Sequence, residues 1–173
     1  MSAEIEKFID ESLINPFSKT KYEIRLCKDA EGYKENMTDY LKWRLSEPVI
    51  EDTARNKIEK EKIDTLFFTQ EEKELIASSL AVSKEGFWKK LRFENINLFS
   101  KKKFKRQQKT KKKRLKGGRY WFYSQPIFLR NEQYCCIYQR YDCGPLCGAG
   151  YLDVYKKVEG KWTIFRFIQL WIS

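Results

Sequence analysis

The sequence predicts an α+β fold, with helices first and then an antiparallel meander of about four strands. Three observations carry that expectation. Before position 100, apolar residues recur at helical spacing, as in Ile5, Phe8, Ile9 and Leu13. From Arg119 onward, β-forming residues dominate in runs separated by short turn signals. Between these parts the composition breaks abruptly at a lysine-rich segment. A chain of 173 residues suggests a single domain, here with a mainly helical part (1–100), a basic loop or insertion (101–118) and an antiparallel sheet (119–173).

Residues 3–14 read as a short amphipathic helix ended by Asn15-Pro16, because the residue before a proline avoids helical geometry. Tyr22 to Cys27 reads as a short extended piece. Met37, Tyr40, Leu41 and Arg44 share a stripe, which predicts a helix over about 34–45 that stops before Pro48. Glu51 to Lys62 has only Ala54 and Ile58 as apolar residues and reads as an exposed helix held by charge pairs one turn apart. Leu66-Phe67-Phe68 is a buried extended piece or the lead-in to a helix. Thr69-Gln70-Glu71-Glu72 then matches a capping box, in which the Thr69 hydroxyl and the Glu72 carboxylate satisfy each other's backbone N–H groups. Leu75, Ile76, Ser79 and Leu80 carry that helix to about Val82. Phe87-Trp88 is expected in the core, and Phe93 to Phe99 as a strand.

Lys101 to Gly118 reads as a mobile loop or a helix–loop insertion. After it, Tyr120–Tyr123 and Pro126–Leu129 form one interrupted strand, with Pro126 at an edge or bulge because it cannot donate to a ladder. Arg130 to Gln133 turns. Tyr134–Asp142 and Tyr151–Val158 make a hairpin around Cys143-Gly144-Pro145-Leu146-Cys147-Gly148-Ala149-Gly150, whose three glycines and one proline predict an ordered loop. Glu159-Gly160 turns again, and Trp162 to Ile172 is a final strand. The preceding helices are expected to cover one face of the sheet. A curved, NTF2-like sheet is a plausible subtype, on analogy of fold alone.

Composition narrows the function classes. The chain is 42% hydrophobic and 16% aromatic, enough for a core. No apolar run approaches the length of a spanning helix, and the N-terminus lacks the pattern of a signal peptide, so a cytoplasmic protein is expected. Five cysteines, an odd number, suggest mostly free thiols in that compartment. The complete lack of histidine removes Ser-His-Asp and Cys-His catalysis and histidine-ligated metals. Phosphate-loop, dinucleotide-binding, EF-hand, nucleophile-elbow and zinc-finger spacings do not occur. No cofactor is expected, and an enzyme is the less favoured class.

A pattern runs through the last third: Ser124-x-Pro126-Ile127-Phe128, then Cys143-Gly-x-Leu-Cys147-Gly-x-Gly150, then Tyr155-Lys-Lys, Gly160-Lys-Trp162 and a terminal Trp171-Ile172-Ser173. It resembles a family of uncharacterised Bacteroidetes proteins over roughly the last 50 residues. The resemblance implies no activity. The chain departs from it in Pro145, where a small residue is expected, and in the basic segment before the motif.

Three groups of residues are candidates for function. Cys143 and Cys147 could be packed structural thiols, a disulfide or redox-sensitive pair, or part of a metal site. Only Cys135 shares strand parity with Cys143, so at most three thiols converge easily and no metal is expected. Next is the cationic segment: Lys101, Lys102, Lys103, Lys105, Arg106, Lys109, Lys111, Lys112, Lys113, Arg114, Lys116 and Arg119, with no acidic residue among them. Against a net charge of +11, these twelve leave the rest of the chain nearly neutral. The segment reads either as a solvated loop or as a contact for nucleic acid, another polyanion or an anionic membrane. Last are the aromatics of the sheet, which read as core or as a pocket or partner surface; Tyr138, Arg140 and Asp142, on one face of a strand, are a candidate polar pocket. The favoured function is a non-catalytic binding or protein-interaction domain. The alternatives are polyanion or nucleic-acid binding through 101–119, and thiol redox chemistry at Cys143 and Cys147.

Overall fold

A computed structural model describes residues 3–14, 24–30, 37–52, 63–82, 84–90, 96–109, 119–144 and 146–173. Helix α1 (Ala3–Ile9) continues as a π-helical turn, Asp10–Ile14, within the predicted helix. Then come β1 (Ile24–Cys27), α2 (Thr38–Arg44), β2 (Val49–Ile50), β3 (Thr65–Leu66), α3 (Gln70–Ala81), a 3-10 turn (Trp88–Lys90), β4 (Ile96–Phe99) and α4 (Lys101–Lys109). Strands β5 (Tyr120–Tyr123), β6 (Ile127–Leu129), β7 (Tyr134–Gly144), β8 (Cys147–Val158) and β9 (Lys161–Ile172) complete the chain. The charged helix expected over Glu51 to Lys62 falls largely outside the described residues.

The fold is α+β with a large, mostly antiparallel sheet, but among the described residues the sheet has seven strands rather than about four. Its order is β4-β1-β5-β7-β8-β9, with β6 beside β5 against β7. The additional strands come from the part read as mainly helical. β1 runs parallel to both β4 and β5. Four-residue runs such as Ile24–Cys27 carry too little pattern to announce a pairing with a strand some 70 residues away. β2 and β3 form a separate two-stranded ribbon.

A second correction concerns the helices, which cover both faces of the sheet. On one face, Leu41 and Leu45 of the α2 region and Ile76, Ala77 and Leu80 of α3 pack on Cys136, Tyr138, Leu152 and Val154. On the other, Phe8 and Ile9 of α1, with Phe87 and Trp88, pack on Cys135, Ile137, Tyr155 and Trp162. Phe8 meets Phe128, Tyr155 and Trp162 edge to face. Two covered faces explain why Leu152, Asp153, Val154 and Tyr155 are all buried in succession.

The loop expected over Cys143–Gly150 is shorter than its glycines suggest. β7 runs through Gly144 and β8 begins at Cys147, so only positions 145 and 146 lie between the strands. Leu146 takes a positive φ of 56° and is 91% exposed at this tip. The other hairpin turn has both central residues left-handed, Glu159 at 48° and Gly160 at 77°, as a type I′ turn requires.

The interrupted strand at Pro126 is present, and its break is filled. β5 and β6 both pair with β7, and Ser124 bridges the gap between them. Its N–H donates to Tyr138 O at 2.8 Å, and its hydroxyl accepts from Tyr138 N–H at 2.9 Å. The hydroxyl supplies the acceptor that the interrupted ladder lacks.

Candidate ligand-binding cleft

On the α1 side of the sheet lies a cleft of about 320 Å³. Its wall is the π-helical turn, which contributes Glu11, Ser12 and Leu13; its floor is the sheet. Trp121 and Tyr123 come from β5, Gln139 from β7, and Asp153 and Tyr155 from β8. β9 supplies Trp162, Ile164 and Phe167.

Strict strand alternation would place Phe167 on the opposite face from Trp162 and Ile164. A β-bulge brings them together: Val154 pairs with Arg166 while Tyr155 pairs with Ile164, leaving Phe165 as the extra residue. Phe165 faces the other core, and beyond it the strand changes parity, with Ile168 and Leu170 in that same core. A second irregularity lies between Gly150 and Tyr151, opposite Trp171 and Gln169. Both are register shifts in the β8–β9 ladder.

The wall is held to this floor by specific bonds. Glu11 accepts the backbone N–H of Trp162 at 2.9 Å. Glu4 accepts from Trp162 Nε1 at 3.0 Å and from Lys157 Nζ at 2.7 Å, and Lys157 holds the Glu4 carboxyl below its usual range. On the same face of the sheet, Trp88 Nε1 donates to Tyr123 O at 3.2 Å. Inside, Asp153 is 1% exposed. Burial first, then the Asp153 charge, pushes the Tyr123 hydroxyl well above its ordinary value and keeps it neutral. Ser12 is 6% exposed, and its hydroxyl has no hydrogen-bond partner among the described residues.

The candidate polar pocket lies across the sheet from this cleft. Tyr138 is buried and its hydroxyl accepts from Trp171 Nε1 at 3.1 Å. The Arg140 guanidinium lies over the Phe122 ring, 3.6 Å from its centroid. Asp142 pairs across the strands with Tyr120. The cleft residues missed from sequence are Ser12, Glu11 and Gln139. The available signal was Asp153, an acid inside the apolar run Tyr151-Leu152-Asp153-Val154-Tyr155.

Cys143 and Cys147 are joined as a disulfide across the hairpin end, with Cα atoms 5.2 Å apart. Cys27, Cys135 and Cys136 are buried and take part in no disulfide. Burial pushes the Cys135 and Cys136 thiols well above their usual range, which disfavours the thiolate form that reacts. No group of three or more metal-ligating side chains occurs among the described residues.

Of the cationic segment, residues 101–109 form α4. Phe104 anchors it in a cluster with Cys27, Phe99, Tyr120 and Phe122. Lys102, Lys103 and Arg106 are exposed. The side chains of Lys105 and Lys109, and residues Lys111, Lys112, Lys113, Arg114 and Lys116, lie outside the described residues. Arg119 packs over the Tyr141 ring at 4.8 Å. Among the described residues, no helix is long and apolar enough to cross a membrane.

Comparison with family models, with characterised proteins and with solved structures finds no match for this chain.

Proposed function

We propose that this chain is a non-catalytic binding domain whose ligand sits in the cleft under the π-helical turn. The cleft itself carries the reading: about 320 Å³, lined by aromatic rings and a few convergent polar groups. That volume lies at the small end of ligand sites, which span about 300–1,000 Å³. The absence of histidine and the suppressed reactivity of Cys135 and Cys136 favour binding over catalysis. We take the sheet to be an NTF2-like curved sheet closing on α1; the two β8–β9 irregularities support that curvature. The test is to screen a mixed set of neutral, cationic and anionic aromatic fragments by protein-observed NMR. Binders should shift the indole signals of Trp121 and Trp162 and lose affinity in Trp121→Ala. Shifts that avoid those two indoles would refute the reading.

A second reading is polyanion binding through α4. It is favoured by Phe104, which pins one side of the helix and leaves Lys102 and Lys103 pointing to solvent. Removing the whole segment would also strip the cover from Phe99 and Tyr120, so the cleaner variant is Lys102→Glu with Lys103→Glu. If about six phosphates are engaged, oligonucleotide affinity falls with salt at a log–log slope of about −5.

A further inference from the structure

We infer that the cleft takes an uncharged aromatic molecule bearing a hydroxyl or N–H group, which hydrogen-bonds to the Ser12 hydroxyl. The inference rests on the proposed role of the cleft and adds the chemical class of its ligand.

Ser12 is the first argument. Among the described side chains of the α1 region, Phe8, Ile9, Ser12 and Leu13 are the buried ones, so a serine stands on a face otherwise made of Phe, Ile and Leu. A helical serine shielded from water ordinarily bonds the carbonyl four residues back. The Ser12 hydroxyl, within the π-helical turn, has no hydrogen-bond partner among the described residues. A buried hydroxyl left unpaired is costly. Ser12 lines the cleft, and a ligand hydroxyl or N–H placed there supplies the missing bond.

Charge is the second argument. The described residues lining the cleft include no lysine or arginine, so an anion finds no counter-charge there. A cation finds its favoured places already engaged. Glu11 accepts the Trp162 N–H, and Asp153 has an interaction of its own. Lys157 Nζ stands over the Trp162 ring, 5.2 Å from its centroid. A second cation against that indole would meet a like charge. An uncharged ligand disturbs none of these contacts.

The rest of the lining selects shape. Leu13, Ile164 and the rings of Trp121, Tyr123, Tyr155 and Phe167 border the space. Such walls suit a flat ring, which packs offset or edge-on against aromatic neighbours. The volume of about 320 Å³ admits a small molecule and excludes a folded partner.

The experiment titrates 4-ethylphenol, ethylbenzene, 4-ethylbenzoate and 4-ethylbenzylamine into the full chain at neutral pH. Binding is followed by the indole NMR signals of Trp121 and Trp162. The phenol should bind at least about tenfold more tightly than either charged analogue, because each of those brings a charge the cleft does not compensate. Ser12→Ala should weaken the phenol about three- to tenfold, the size of one net hydrogen bond, and leave ethylbenzene unchanged. The same substitution should leave the urea midpoint of the ligand-free chain unchanged or raised, since it removes an unpaired buried hydroxyl. Equal or tighter binding of the benzoate or the amine overturns the uncharged class. Equal loss of both neutral probes, loss of neither, or a lowered urea midpoint overturns the role of Ser12. Each of these results leaves the cleft as a binding site. If no probe shifts either indole, the inference and the proposed role of the cleft both fail.

Discussion

Gly150 shows how one residue type can be dictated from across the sheet. It pairs with Trp171 on β9. A Cβ at position 150 would fall inside the indole ring, against Nε1, Cε2 and Cδ1. The indole lies flat on the glycine and donates to the Tyr138 hydroxyl at 3.1 Å. Space, and not backbone freedom, requires glycine here. Gly150→Ala must displace the ring and break that bond, costing about 1–3 kcal/mol as overpacking generally does. A smaller change in the urea midpoint, with the Trp171 indole signal unmoved, would contradict this account. The motif residues Ser124, Gly150 and Trp171 thus have structural duties in the ladder and its packing.

At the scale of elements, α3 is the best example of local consistency. Thr69 Oγ1 accepts from Glu72 N–H at 3.2 Å, and Glu72 Oε2 accepts from Thr69 N–H at 2.9 Å. The same Glu72 receives Arg130 Nε at 2.8 Å, and Arg130 also donates to Phe67 O at 2.6 Å. The helix cap is therefore fastened to the β6–β7 turn, where Arg130, Asn131 and Glu132 all take positive φ. Thr69→Ala should cost about 1 kcal/mol. Arg130→Ala should cost about 1–2 kcal/mol, less than a fully buried pair because the arginine is a third exposed. Since both act through Glu72, the double variant should lose less than the sum, by at least about 0.5 kcal/mol. Strict additivity in a double-mutant cycle would show that cap and ion pair are independent.

The whole molecule should be sensitive to acid for a reason that can be traced. Glu4, Asp64 and Glu72 are each held below their usual values, chiefly by hydrogen bonds from Lys157, Lys156 and Arg130. These contacts tie α1 to β8, the lead-in to β3 to β8, and α3 to the β6–β7 turn. A carboxylate with a depressed folded value binds fewer protons folded than unfolded. Its contribution is complete above the unfolded value, about 4, and is lost as pH falls through the folded one. The urea midpoint should be steady from about pH 7 to 5 and should fall below about pH 4. Arg130→Gln should be less stable than the native chain at neutral pH, and that deficit should shrink in acid as Glu72 becomes protonated. A deficit independent of pH would remove the Glu72–Arg130 pair from the explanation.

Local chemistry settled much of this architecture. The α1 region, α3 with its capping box, the break at Pro126 and the turn at Glu159-Gly160 were legible, because each depends on contacts within a few residues. The parity of β7 was legible too, since Cys136 and Tyr138 oppose Cys135 and Ile137. Other features were decided only in the tertiary structure. The pairing of β1 with β4 joins residues far apart in sequence, and nothing in four residues encodes its partner. The burial of both sheet faces depends on where α1 lands. The bulge at Phe165 reverses the alternation of β9, so period-two reading assigns Trp162 and Phe167 to opposite sides although both line the cleft. The cleft joins a helix near the N-terminus to strands near the C-terminus, and its chemistry exists only once Glu11, Ser12 and Asp153 share one cavity.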